Sequence, residues 1–131
     1  MTVVSGGGAV DFDGIIGGTA GDHLGALSIN AGSSTGTIAI EQIGVDGDAG
    51  VEGNVDIGNT ATATVTLDGV DYNVGGSGTL TVESTSGENI LFTAGALVEV
   101  KTADTALQFN GGKINLSDGT DLTVKSLGGP I

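Results

Sequence analysis

One histidine, sixteen carboxylates, three lysines and no arginine or cysteine define the chemistry open to this 131-residue chain. Nucleophilic catalysis of the Ser-His-Asp kind needs an imidazole to take the nucleophile's proton and a carboxylate to hold that imidazole. Every such arrangement would hinge on His23, beside Asp22 in a glycine-rich stretch. A Cys nucleophile, a thiolate metal site and a disulfide are excluded outright. Sugar cleavage by paired carboxylates is the other acid–base option, and it also needs rings and cations to hold the sugar. Asp11, Asp13 and Glu41 would have to converge in a groove, yet Phe12, Tyr72, Phe92 and Phe109 are the only aromatics. The chain is therefore read as non-enzymatic, with a carbohydrate-active β-helix enzyme or sugar-binding module as an alternative.

Carboxylates among glycines favour a hard cation instead. Asp46, Asp48 and Glu52 fall in Val45-Asp-Gly-Asp-Ala-Gly-Val-Glu, where flexible glycines let carboxylates and carbonyls converge on calcium. The remaining EF-hand positions are absent. Against calcium stands the plainer reading of ordinary Asp/Gly turns on a solvated surface, with no cofactor. A net charge of −13 excludes other partners. Phosphate backbones are bound by Lys and Arg neutralisation, so no nucleic-acid partner is expected. An anionic membrane surface is disfavoured for the same reason, and no run of 18 apolar residues is present to span a bilayer. Met1 to Val10 lacks the basic and apolar regions of a secretory signal, so an export signal would have to lie outside these residues.

The elements that position these groups are short strands. Apolar residues alternate with period two at Val65/Leu67, Tyr72/Val74, Leu80/Val82, Ile90/Phe92, Val98/Val100, Leu107/Phe109, Ile114/Leu116 and Leu122/Val124. Successive runs begin 7 to 10 residues apart, which leaves no room for a helix between them. Register one coil on sorts them into columns. A first side reads Val10/Phe12, Ile38/Ile40, Val65/Leu67, Ile90/Phe92 and Ile114/Leu116, with steps of 28, 27, 25 and 24. A second reads Ile43/Val45, Tyr72/Val74, Val98/Val100 and Leu122/Val124; a third reads Leu27/Ile29, Val55/Ile57, Leu80/Val82 and Leu107/Phe109. Asp13-Gly14, Asp68-Gly69 and Asp118-Gly119 recur just after the first side, as corners in which Asp bonds its own backbone and Gly takes positive φ. Alone, Leu67-Asp68-Gly69-Val70 would read as a hairpin.

The expected fold is all-β: a single domain over residues 1–131 forming a three-sided, right-handed parallel β-helix (β-solenoid) of about five coils. An antiparallel β-sandwich is the alternative. A narrow prism filled by Val, Ile and Leu accounts for the scarcity of rings, and each coil depends on its neighbours to bury its apolar face. Thr60, Thr62, Thr64 and Thr66 alternate as an ice-binding face would. However, Thr64/Thr66 become Thr37/Ala39, Asn89/Leu91 and Lys113/Asn115 in the other coils, and Thr79/Thr81 become Asn54/Asp56 and Ala106/Gln108, so the ladder is broken. Lys101 and Lys125 stack at an offset of 24, with Glu99 and Asp121 near to relieve them.

Three stretches carry a family likeness: Ala9-Val-Asp-Phe-Asp-Gly-Ile-Ile-Gly-Gly-Thr-Ala-Gly, Leu24-Gly-Ala-Leu-Ser-Ile-Asn-Ala-Gly and Gly111-Gly-Lys-Ile-Asn-Leu-Ser-Asp-Gly-Thr-Asp-Leu-Thr-Val. In style they resemble the β-helical repeat regions of filamentous-haemagglutinin-like and autotransporter-like bacterial surface proteins. That resemblance implies an extracellular or cell-surface stalk for adhesion, display or fibre formation, a piece of a longer repeat protein. Its partners would be its own neighbouring repeats or copies and cell-surface glycans or proteins. Gly17-Gly-Thr-Ala-Gly-Asp-His-Leu resembles one copy of the RTX nonapeptide, with Ala20 in place of a glycine, and adds Asp22 to the calcium candidates. Neither Met1 to Gly8 nor Ser126 to Ile131 reads as a solenoid cap. An excised segment or a protomer stacking end to end into a filament would each account for that. The second resembles bactofilins, one of whose turns Val51-Glu-Gly-Asn-Val-Asp-Ile resembles.

Overall fold

The computed structural model describes residues 1–18, 21–32, 35–59, 62–85, 87–103 and 105–131. Thr60 of the threonine run and Ala20 of the nonapeptide lie outside them. In chain order the strands are β1 (Thr2–Val4), β2 (Val10–Ile16), β3 (Leu27–Asn30), β4 (Thr37–Ile43), β5 (Val55–Gly58), β6 (Thr64–Leu67), β7 (Asp71–Val74), β8 (Leu80–Glu83), β9 (Asn89–Phe92), β10 (Leu97–Thr102), β11 (Leu107–Asn110), β12 (Lys113–Leu116) and β13 (Asp121–Ser126). Every pairing between these strands is parallel, which makes the chain a parallel β-helix and rules out both the sandwich and the hairpin at Asp68-Gly69.

The third side is a five-stranded sheet in the order β1-β3-β5-β8-β11. Leu27, Val55, Leu80 and Leu107 lie in register there, as do Ile29, Ile57, Val82 and Phe109. The other two sides form one eight-stranded sheet, because β2 and β4 run through both of them. On the first side Val10, Ile38, Val65, Ile90 and Ile114 stack in register, as expected. The broken threonine ladder is equally as expected: Thr64 faces Thr37 and Asn89, and Thr81 faces Asp56 and Gln108.

The second side departs from expectation by two residues. Tyr72 pairs with Val100, not Val98, and Val74 pairs with Thr102. A slip of two leaves every inward side chain inward, so alternation alone cannot distinguish the two registers. Val45 also leaves the column: Val51 takes its place and bridges Val74.

The corners need correction as well. Gly14 lies inside β2, where the register against β4 shifts between Phe12 and Ile15, and neither it nor Gly69 has positive φ. Gly69 is required for another reason, since a Cβ there would overlap the Glu41 carbonyl oxygen of the coil above. Only Gly119 has the expected left-handed backbone, at φ 78°.

Inward Ile, Val and Leu side chains from all three sides fill the core, with Tyr72 and Phe92 the largest fully buried members. Phe92 meets Phe109 edge to face with centroids 5.9 Å apart. Tyr72 spans two coils: its hydroxyl donates to the Ile40 carbonyl at 2.8 Å, lies 2.9 Å from the Glu41 carbonyl, and accepts from the Gly69 N–H at 2.9 Å.

Candidate functional site

The polar chemistry gathers where the second side is interrupted. After Ile43 the chain leaves the ladder at Gly44 and re-enters at Gly50. These two glycines form a neck in which a Cβ on Gly44 would come within 2.5 Å of the Gly50 nitrogen. Between them, Val45 and Asp48 exchange backbone hydrogen bonds of 2.9 and 3.0 Å around Asp46-Gly47, with Gly47 at φ 81°. This is a two-residue Asp-Gly turn between antiparallel partners. The Asn73 amide braces it by donating to the Val45 carbonyl at 3.2 Å, and Gln42 donates to the Gly44 carbonyl at 2.8 Å.

His23 approaches from the coil above. The following residue, Leu24, bridges Val51 in parallel, with Leu24 N–H to Gly50 carbonyl at 3.0 Å and Glu52 N–H to Leu24 carbonyl at 2.9 Å. This local ladder fixes the imidazole between two carboxylates of the next coil. His23 Nε2 lies 2.9 Å from Asp48 Oδ1 and Nδ1 lies 3.1 Å from Glu52 Oε1. The hydrogen bond to Asp48, followed by the charges of Asp48 and Glu52, raises the His23 pKa above its ordinary 6.5 against an opposing effect of desolvation.

On the second side's outer face, Glu99 joins the two stacked lysines: Lys101 Nζ is 3.0 Å from Oε1 and Lys125 Nζ 2.5 Å from Oε2. Hydrogen bonds from Lys125 and then Lys101 hold the Glu99 carboxyl below its ordinary range. Lys101 also reaches Asp46 Oδ1 at 3.7 Å. Asp71, next to this network, is pushed up, first by desolvation and then by the charge of Asp46.

Of the four calcium candidates, the structure brings Asp48 and Glu52 together and sets Asp46 and Asp22 apart from them. Asp48 and Glu52 face His23, Asp46 faces Lys101, and Asp22 is exposed. Among the described residues no group of three or more His, Asp or Glu side chains is arranged to hold a metal ion. Asp11, Asp13 and Glu41, the carboxylates of the sugar-cleaving alternative, are all exposed, whereas the four aromatics are buried or half-buried, turned toward the core. The His23 clamp was missed in the sequence, because the Leu24–Val51 bridge that sets His23 between Asp48 and Glu52 lies outside all three columns.

Compared with protein-family models, with curated proteins and with solved structures, the chain matches none.

Proposed function

We propose that this parallel β-helix is a non-enzymatic structural module of a bacterial cell-surface or secreted exoprotein, a stiff acidic stalk for adhesion or display. The observation that carries the reading is the coil-on-coil ladder itself. All three sides are hydrogen-bonded along one axis around a continuous apolar core, while the carboxylates stand on the outer faces. Like interfaces repeated along one axis make a rod, and net negative charge keeps such rods dispersed. A passive role is further supported by His23, whose two ring nitrogens both face carboxylates, so that neither is turned toward a nucleophile. The same coil-to-coil bond recurs along the third side: the Pro130 carbonyl accepts from Leu107 N–H at 3.0 Å, as Ala106 does from Leu80 and Thr79 from Val55.

One observation favours a second reading, a filament subunit stacking end to end. Among the described residues β1 and β11 are the two outermost strands of one parallel sheet, with Leu107 N–H of β11 bonded to the Pro130 carbonyl, and an open hollow of about 380 Å³ lies over β11 between Phe109, Ile114 and Ile131. Outermost parallel strands at both ends can accept a head-to-tail partner.

Negative-stain electron microscopy and sedimentation of the purified chain, in calcium and in chelator, separate these readings. Discrete particles are the outcome expected of a module, and fibres one solenoid wide would establish the second reading. Turnover of any member of a polysaccharide panel would overturn both.

A further inference from the structure

The clamp on His23 has a proton inventory. Ionised Asp48 and Glu52 are acceptors only, and a neutral imidazole carries one N–H. Contacts of 2.9 and 3.1 Å at both ring nitrogens are therefore both hydrogen bonds only when the ring carries two protons. We propose that His23 is a pH-operated latch: as an imidazolium it fastens the Val45–Asp48 turn and Glu52 onto the coil above, and its deprotonation releases the turn.

The turn is built to respond. It projects from the Gly44–Gly50 neck, and beyond its own two hydrogen bonds it is held by the Asn73 amide and by Lys101 at 3.7 Å from an Asp46 side chain that is 95% exposed. The charged groups around the latch are Asp48 and Asp46 from the turn, Glu52 from the strand-like segment below, and exposed Asp22 on the histidine's own segment. Asp71 of β7 and Lys101 of β10 flank Asp46. Loss of the proton leaves one carboxylate facing a nitrogen lone pair and removes the cation from a cluster in which negative charge predominates. The raised pKa of His23 sets the release above 6.5.

The chain has one histidine, so its ring resonances are unambiguous. Proton NMR from about pH 5 to about pH 9 reads the titration directly. The expected pKa lies above 6.5, and Asp48→Asn and Glu52→Gln each bring it back toward 6.5. In parallel, amide exchange of Val45, Asp48 and Glu52, expressed as protection relative to the unstructured chain, falls by a factor of about three or more as His23 deprotonates. In His23→Gln the same amides show no step in that range. A pKa at or below 6.5, or protection that does not follow the ring titration, overturns the latch. If His23→Gln were to unfold, the two carboxylate variants keep the titration test intact.

Discussion

Tyr72→Phe isolates one hydroxyl at the junction of two coils. The ring is fully buried and the substitution keeps it, so only the oxygen that serves Ile40, Glu41 and Gly69 is lost. The Ile40 and Glu41 carbonyls lose a donor. The Gly69 N–H is left without its acceptor in a buried corner that a Cβ could not enter. Removing one partner of a buried hydrogen bond costs about 1–3 kcal/mol, because the stranded group keeps its desolvation penalty. The Ile40 carbonyl keeps the Asp68 N–H at 3.2 Å and Glu41 is exposed, so the penalty falls mainly on the buried Gly69 N–H, and a loss of about 2 kcal/mol is expected. For a chain of this length that corresponds to a Tm lower by roughly 6–10 °C. Tyr72→Leu adds a packing defect and should lose about 1–2 kcal/mol more. Urea and thermal unfolding read both, with an unchanged urea m value as the check that the same surface is exposed. Since Tyr72 is the only tyrosine and burial pushes its phenol up, its absorbance titration should appear only on unfolding. A Tyr72→Phe variant within about 0.5 kcal/mol of the parent would refute the assignment of the corner to this hydroxyl.

The corner glycines give a graded series in urea midpoints. Gly69→Ala should cost about 1–3 kcal/mol through overlap with the Glu41 carbonyl. Gly119→Ala should cost about 1–2 kcal/mol through its left-handed backbone at φ 78°. Gly14→Ala, with nothing within 4 Å and no positive φ, should be neutral or gain about 0.4–1 kcal/mol. Stability should peak under mildly acidic conditions. The raised His23 pKa contributes stability that is full below 6.5 and is lost as pH rises through the folded-state value. The lowered Glu99 pKa contributes stability present above 4.5 and lost as pH falls through the folded-state value. Asp71, pushed up by desolvation, adds a small penalty once ionised. Tm measured across pH checks the profile, and a steady rise toward alkaline pH would contradict it. Calcium and chelator should leave Tm within about 1 °C of each other, because a ligand stabilises only when it binds the folded state and the nearest carboxylates already face His23 and Lys101. A rise of several degrees in calcium would show that the ion displaces those partners.

What the sequence disclosed, it disclosed through steps of one coil. On the first and third sides, alternation plus a near-constant step sufficed for every strand but β1, because each strand carries one pair of inward residues and admits one register. On the second side β10 is six residues long and opposes the four of β7, so two registers satisfy the same inward face. Only the backbone path around Val70 selects between them: the Glu99 N–H bonds the Val70 carbonyl at 2.8 Å, which sets Val100 on Tyr72. Of the expected Asp-Gly corners only Asp118-Gly119 forms as read, with Thr120 N–H on the Ser117 carbonyl at 3.0 Å and Gly119 at φ 78°. The pair that turns between antiparallel partners is Asp46-Gly47, whose neighbours read as a cation site. Asp68-Gly69 looks like a hairpin, but its glycine serves close approach between coils. Side-chain pairing across coils, such as His23 with Asp48, depends on loop geometry that a dipeptide signal does not carry.

The distribution of polar side chains follows from where the ladder is thin. Six residues of β10 pair with β13 and four pair with β7, but a single residue of β4, Ile43, pairs with β7, with Val51 bridging Val74 beyond the excursion. In a solenoid, stability is a sum over neighbouring interfaces, so a thin interface sets where the rod opens. At this one the Tyr72 hydroxyl ties β7 to β4, and the Asn73 amide reaches Val45 while its carbonyl accepts from Gly50 N–H at 3.1 Å. His23 fastens the excursion from the coil above. These polar contacts stand in for the missing ladder bonds, and they are directional where apolar packing is not. Native-state amide exchange should therefore find lower opening free energies at Gly50 and Gly75, whose amides bond across this interface, than at the β10–β13 amides. Tyr72→Phe should lower the first group further and leave the second unchanged. Uniform protection along the second side would mean that the apolar core alone holds the coils together and that the polar contacts contribute nothing.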